Sequence, residues 1–404
     1  MTSVSDAVDA LKPELWTSSL NEAMSIYVTD TKGTASSFKP AFTYPIFGEA
    51  ESIFGYKDLQ ILLCFDAVTW LPFLNVKWSA AMPDVDTDVK QKMLDQLPAL
   101  AVFKDEGIWR DRIEQEQRDY VIPGSQVGET WKHQQQDWAL YKLDLASAAG
   151  LELHKRLQIL VLLFIEAGTY IDALDPLWEV YVMYNVTDPQ LPEIVGFTTV
   201  YNYWKYPGHT KFDAGAIETR KKISQFVVLP IFQGQQLGGQ MYERLFEQWL
   251  ADPDVVEVVV EDPNESFDDL RDRVDLTRLL TSGHIDLLSI SIATVTAPGW
   301  FEEFKKKEKL EKRQLQRLLE MIFLQQRKDG LGKESAKAIR QFIKRRLYEK
   351  NHDALVEMDE PTRLDKLQTA YMALEDDYMR VLAALRLKKR KESDTKPKAK
   401  KQKK

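Results

Sequence analysis

The chain has a single cysteine, Cys64, in 404 residues. That count excludes a disulfide framework and any Cys-rich zinc site, and it fits a reducing compartment. The five histidines (His133, His154, His209, His284 and His352) form no HExxH or paired ligand motif, so no metal is expected. The longest apolar run covers residues 159–165, far short of the ~20 needed to span a bilayer. No membrane partner is therefore expected. The first fourteen residues carry early acids and no apolar core, so they do not read as a signal peptide. No Gly-Lys-Ser/Thr closes a Walker loop, and no GxSxG elbow is present. Cys64 lies inside the apolar run 62–65 and reads as inert core. With no nucleophile in view, direct transfer between two bound substrates is favoured over a covalent intermediate.

What is present is ordinary globular composition, 44% hydrophobic and 29% charged. The length suggests two or three domains. The net charge of −8 is a cancellation. Residues 388–404 hold ten Lys or Arg against Glu392 and Asp394, which is +8 and leaves −16 for residues 1–387. The tail reads as disordered, and as a nuclear import signal, a nucleic-acid-contacting arm or a solubilising tail. Direct nucleic-acid binding is expected only through that tail. An acidic body suits a basic partner.

Along the chain, residues 5–24 pattern as a short helix, and 58–70 and 75–82 as strands. Residues 81–126 are mixed, 138–148 reads as a strand, and 151–171 as a helix with apolar residues at i+3 and i+4. The centre reads as strands at 178–184, 194–203 and 225–229, a Gly/Gln loop at 233–239, a helix at 240–250, and a charge-poor strand at 255–260 buried on both faces. Residues 264–274 start a helix with acids in its first turn. Three helices follow at 301–327, 333–350 and 361–387. The domains expected are a mixed α/β domain at 1–135, a catalytic domain at 136–282, a helical domain at 283–387 and the basic tail.

Four constellations carry chemistry. Gly234, Gly238 and Gly239 lie between a strand and a helix start, where backbone N–H groups converge on an anion; a tight turn is the plainer reading. Glu261 and Asp262 leave the end of the strand 255–260, where an α/β sheet places its chemistry. Desolvation and the neighbouring acid would raise the carboxyl pKa there, tuning a base. Asp262 or Asn264 as a helix N-cap is the alternative. The ten acids between Asp252 and Asp275, with only Arg271 and Arg273 among them, read as a solvated helix face or as a docking surface for a basic chain. The aromatic run 201–206 reads as core along one face and, along the other, as a groove for an extended peptide.

Residues 224–239, SQFVVLPIFQGQQLGG, resemble the acetyl-CoA-binding motif Gln/Arg-x-x-Gly-x-Gly/Ala of the GNAT superfamily. With the blocks FGEAESIFGYK (47–57), VGFTTVYNYWK (195–205) and VEDPNESFDDLRD (260–272), the chain resembles the type B histone acetyltransferase catalytic subunit. The resemblance covers most of residues 40–280. It departs at Gln236, where the motif has its first glycine and where a positive φ would cost more than with Gly.

The resemblance implies an α+β fold: a GNAT core of mixed twisted sheet flanked by helices, a mixed N-terminal domain and a helical C-terminal domain. It implies acetyl-CoA as co-substrate. Phe226, Val227 and Val228 would lie along the strand that holds the pantetheine arm and the acetyl carbonyl. Gln233, Gly234, Gln235, Gln236, Leu237, Gly238 and Gly239 would wrap the pyrophosphate, with Asn264 and Phe267 contacting the cofactor. Glu261 would be the general base, with Asp262 and Glu166 as helpers or alternatives. Glu49, Ala50 and Glu51, with Tyr201, Asn202 and Tyr203, would line the histone-tail groove.

The implied reaction is acetylation of a lysine in the tail of newly made histone, histone four by family preference. The implied partner is a WD-repeat β-propeller histone-binding subunit, to be met by the N-terminal helix and the loop 207–222, which otherwise reads as a flexible insertion. The implied localisation is cytoplasm and nucleus. Two other functions are open: a histone chaperone or scaffold with a non-catalytic core, and a GNAT enzyme for another protein or amine.

Overall fold

The computed structural model describes residues 12–385 except Asp84 and Asp86. The basic tail 388–404 and the first part of the expected N-terminal helix lie outside those residues. The chain forms two compact units. The first runs up to Asn264 and takes in Lys306–Glu311; the second holds Glu265–Lys305 and the chain from Lys312 onward.

The first unit is built on two sheets. One contains β1 (Met24–Thr29), β2 (Ala35–Phe38), β3 (Gln60–Asp66), β4 (Pro72–Lys77) and β5 (Val102–Phe103), in the order β2-β1-β3-β4-β5. The other contains β6 (Gly124–His133), β7 (Gln136–Leu143), β8 (Trp178–Asn185), β9 (Glu193–Trp204), β10 (Thr219–Val228) and β11 (Val255–Val260), in sequence order. All its neighbours are antiparallel except β10 and β11, which are parallel. The crossover between those two is the helix α5 (Leu237–Ala251), as a parallel pair requires. This is the layout expected of the GNAT core, and the α+β class is what the chain adopts.

Both sheets bury residues in one apolar core. Leu63 and Trp70 meet Leu160, Val161 and Leu163 of a short helix (Ile159–Phe164), and Val180, Phe197 and Val227 of the second sheet. Burial of each such side chain contributes roughly 1.5–3 kcal/mol. The site strands β9 and β10 therefore rest on a rigid base.

Several elements differ from the sequence expectation. The described part of the N-terminal helix is two single turns, Pro13–Trp16 and Leu20–Ala23, around a strand, Thr17–Ser19. Three hydroxyl residues are weak helix formers, and pairing of this strand with Ser52–Phe54 prevails. The helix expected at 151–171 ends at Phe164, because Ile165 is extended and Ala167 takes φ 54°. Strand β10 starts six residues earlier than the expected 225, since Arg220, Lys221 and Lys222 sit inside it paired with acids. Strand β11 is an edge strand and only half-covered in places, not buried on both faces. Its open edge is met by a returning segment: the Val258 N–H donates to the Lys309 carbonyl at 2.8 Å, and Val258 bridges to Leu310. That return breaks the helix expected at 301–327 into Trp300–Glu308 and Lys312–Asp329, with Lys309 at φ 52° between them.

The second unit is helical. Its main elements are α6 (Glu265–Thr281), α8 (Lys312–Asp329), α9 (Ala336–Lys350) and α10 (Glu360–Ala383), with α7 (Trp300–Glu308) leading into the return. Asp272, Asp275 and Arg271 of α6 are fully buried. Arg317 pairs with Asp272 at 2.5 Å, and the Gln314 amide donates to both Asp272 and Asp275. Glu320 holds Arg346 at 2.7 Å and accepts from Tyr378 at 2.9 Å. Burial pushes the Asp272 and Glu320 carboxyls up, and the arginines only partly offset it. The α6 part of the acid cluster, from Asp268 to Asp275, is thus neither a solvated face nor a docking surface. It is an internal ion-pair network of the helical unit, with Asp268 on Arg313 and Asp269 on Arg380 at its margin.

Candidate active site

The ladder between β10 and β11 ends at the Ile223–Val260 pair, well before β10 itself ends at Val228. The two strands part there. Where they part, β10 carries a bulge: Ile223 faces Val200 and Gln225 faces Thr199, which leaves Ser224 as the extra residue. Bulges re-aim side chains beside functional sites. Here the Ser224 hydroxyl donates to Glu261 Oε2 at 2.5 Å, and the Lys222 ammonium donates to Glu261 Oε1. The Glu261 N–H donates to the Ile223 carbonyl at 2.9 Å, which fixes its backbone at the fork.

Glu261 therefore differs from expectation in its titration. Burial pushes its carboxyl up, but the Lys222 and Ser224 hydrogen bonds and the Lys222 charge outweigh it. The net shift is downward, not upward. Asp262 is exposed and adopts φ 36°, so its side chain adds little to the Glu261 environment.

Along β10, Lys222, Ser224, Phe226 and Val228 are half-buried and alternate with buried Ile223, Gln225 and Val227. Beyond Val228, a single-turn 3-10 helix (Pro230–Phe232) leads into the glycine loop. The Gln233 amide folds back onto the Val228 carbonyl at 2.8 Å. Gly234 takes φ 73° in open space, and Gln236 takes the left-handed φ 66° at the start of α5. That conformation costs a non-glycine residue roughly 1–2 kcal/mol, so the neighbours must hold it. His133 Nε2 lies 2.9 Å from the Gln235 carbonyl, and Trp131 Nε1 donates to Gln240 Oε1 at 2.5 Å. Both come from β6. The loop thus presents the N-terminus of a 15-residue helix, without a side-chain cap, beside the fork. Converging backbone N–H groups of this kind suit a pyrophosphate.

Comparison with known proteins identifies the family. The family profile described as histone acetyl transferase HAT1 N-terminus matches residues 16–166, and that for the fungal HAT1 C-terminus matches residues 272–328. The histone acetyltransferase type B catalytic subunit of Debaryomyces hansenii is 55% identical over 409 residues, covering 100% of this chain and 98% of the relative. The one from Candida albicans is 51% identical, covering 96% of this chain and 95% of the relative. The chain belongs to the type B histone acetyltransferase catalytic subunit family. It is an acetyltransferase. Among solved structures, an aminoglycoside acetyltransferase from an uncultured soil metagenomic sample, in complex with sisomicin, is 16% identical. It covers 31% of this chain and 78% of its own, at a TM-score of 0.24.

The remaining residues expected at the site fall in three places. Tyr201 and Tyr203 of β9 are in edge contact at 4.8 Å, and the Lys222 ammonium lies 5.2 Å from the Tyr203 ring centre. Tyr203, Lys222, Ser224 and Glu261 are thus one continuous surface. Asn202 points elsewhere: its amide and its N–H both donate to the Leu177 carbonyl, at 3.0 and 2.9 Å. Glu166 sits on the exposed turn after the short helix, tied to β10 through the Gln225 amide on the Thr169 carbonyl at 2.7 Å.

Glu49 and Ala50 are exposed on a turn. Glu51 is not available in the same way. Its carboxylate accepts from the Thr43 and Tyr44 N–H groups at 2.7 and 3.1 Å and from Asn21 at 2.8 Å. Those Thr43, Asn21 and Tyr44 bonds together outweigh burial and hold its carboxyl below the usual range. Asn264 closes the first unit, and Phe267 lies in α6 of the second.

Sequence reasoning missed Lys222, Ser224, Trp131 and His133. The first two follow from the burial alternation of β10, which its sequence does not show because Arg220, Lys221 and Lys222 are all charged. The β6 pair had no signal, because β6 is polar and mostly exposed. Cys64 is inert as expected: burial, with the charge of Glu106, pushes its thiol up to about 12. Among the described residues no group of His, Cys, Asp and Glu could hold a metal ion, and no helix is long and apolar enough to cross a membrane.

Proposed function

We propose that the chain transfers the acetyl group of acetyl-CoA to the side-chain amine of a lysine in the tail of a newly made histone, histone four by family preference. Transfer is direct, within a ternary complex, with Glu261 as the general base. The observation that carries this reading is the carboxylate of Glu261 at the parting of β10 and β11, flanked by Ser224 and Lys222 and next to the glycine loop.

The chemistry follows from the amine. A lysine side chain has a pKa near ~10.4 and is ammonium at neutral pH. Only the free amine attacks a thioester. Glu261 is ionised at neutral pH, the state a base needs. An incoming ammonium that takes the place of Lys222 finds the same acceptor, Oε1 of Glu261, with Ser224 still on Oε2. The residues that would hold the co-substrate are Phe226, Val227 and Val228 along the forked strand and Gln233–Gly239 at the helix N-terminus. The left-handed Gln236 and the open Gly234 support that fit. A strand N–H among Phe226–Val228 would meet the developing oxyanion. Asp262 and Glu166 are secondary to Glu261, and Tyr201 and Tyr203 wall the path of the tail.

The reading extends to a basic peptide partner and to a WD-repeat β-propeller subunit. The exposed Trp204, Tyr206 and Phe212 around the connection between β9 and β10 support that region as a contact. A working place in cytoplasm and nucleus is part of the proposal. Incubation of the purified chain with labelled acetyl-CoA and a panel of histone-tail peptides tests it. Label on a lysine of the histone-four tail, at least ten times faster than on an unrelated basic peptide, is the expected result. Equal labelling of all basic peptides, or none, overturns it.

A further inference from the structure

Lys222 occupies an unusual position for a surface lysine. Its side chain is 18% exposed, its ammonium lies against the Glu261 carboxylate, and Tyr203 closes over it at 5.2 Å. Its neighbour Lys221 points to the opposite face of β10, where it pairs with Glu179 at 2.6 Å and is 9% exposed. An acceptor lysine must reach the base and must also stand beside the forked strand. Lys222 already meets the first condition, and it belongs to the strand that sets the second. Ser224, two residues on, bonds the other oxygen of the same carboxylate at 2.5 Å.

We propose that Lys222 stands in the acceptor-amine position and is itself acetylated, within its own molecule, when acetyl-CoA binds in the absence of a histone tail. This rests on the reading of Glu261 as the base. The step balances without any further reactant. The Lys222 ammonium gives one proton to Glu261, which passes it to solvent. The free amine bonds to the acetyl carbon, the carbon–sulfur bond breaks, and the nitrogen's second proton passes to the leaving thiolate. The product is a neutral amide at Lys222, free CoA and one released proton. The same amide can no longer ion-pair with Glu261, so the modification leaves the carboxylate open to an incoming ammonium.

The test uses the full chain and isotopically heavy acetyl-CoA with no peptide present. Cleavage after glutamate gives the segment 219–243, whose two lysines are Lys221 and Lys222. Fragmentation distinguishes them. The expected result is heavy acetyl on Lys222 and none on Lys221, with a half-time independent of protein concentration and at least tenfold slower labelling in Glu261→Gln. Lys222 remaining unlabelled, while the same preparation acetylates a histone-tail peptide, overturns the inference and leaves the proposed function standing. Lys221 labelled as fast as Lys222, or a rate that rises with protein concentration, also overturns it. Absence of label on both Lys222 and the histone peptide overturns the two together.

Discussion

The two units use charge in opposite ways. In the helical unit, the acids of the Asp272–Arg317 and Glu320–Arg346 pairs are fully buried, and each is fixed by two or more donors. In the sheet unit, Glu261 keeps a side chain 40% exposed and is met by one lysine and one hydroxyl. A buried pair can break only by leaving a charge stranded in a poor solvent. A half-exposed pair can exchange its cation for another from solution at little cost. The first arrangement suits permanent architecture and the second suits turnover.

Breaking a buried pair should have the largest effect. Asp272→Ala leaves Arg317 buried without its carboxylate and should cost about 3–5 kcal/mol, read as a lower urea midpoint of the helical unit. A loss below about 1 kcal/mol would mean that the network is not sealed. Glu261→Gln comes next. It should lower kcat by ~10²-fold or more with little change in acetyl-CoA affinity, and its urea midpoint should stay near wild type. An unchanged kcat would remove Glu261 from the role of base.

The smallest effect sharpens the comparison within the sheet unit itself. Glu179 is half-buried beside Lys221 and Lys142. Burial raises its carboxyl, but the two lysines overcome it and hold it down to about 2 against an ordinary 4.5. A lowered folded pKa gives stability that is present above the unfolded value and lost as pH falls toward the folded one. Wild type should therefore lose melting temperature between about pH 4.5 and 2 more steeply than Glu179→Gln. Parallel curves would show that the lysines do not hold the charge.

Much of this was legible in the sequence. The glycine loop, α5 and the strand Val255–Val260 follow directly from apolar spacing and turn residues. The placement of Glu261 follows from the end of that strand. The titration of Glu261 was not legible, since its direction depends on Lys222 and Ser224, which come from a neighbouring strand about forty residues away in sequence. The binding-face reading of Glu51 was also not secure from sequence, because the N–H groups of Thr43 and Tyr44 reach it only through a fold-back of the chain. Polar β6 carried too little hydrophobic contrast to be seen as a strand at all.

The return of Lys306–Glu311 to the first unit has a consequence for how the chain can be divided. Lys309 also places its ammonium on the Trp249 and Asp252 carbonyls, at the C-terminal end of α5. A fragment ending anywhere between Asn264 and Lys305 would expose the valine-rich edge of β11 and uncap the helix behind the glycine loop. Bare edges of that kind recruit other strands. The first unit therefore needs the chain as far as Glu311 to cover that edge, and the helical unit is divided around this return, with Glu265–Lys305 before it and the chain from Lys312 onward after it.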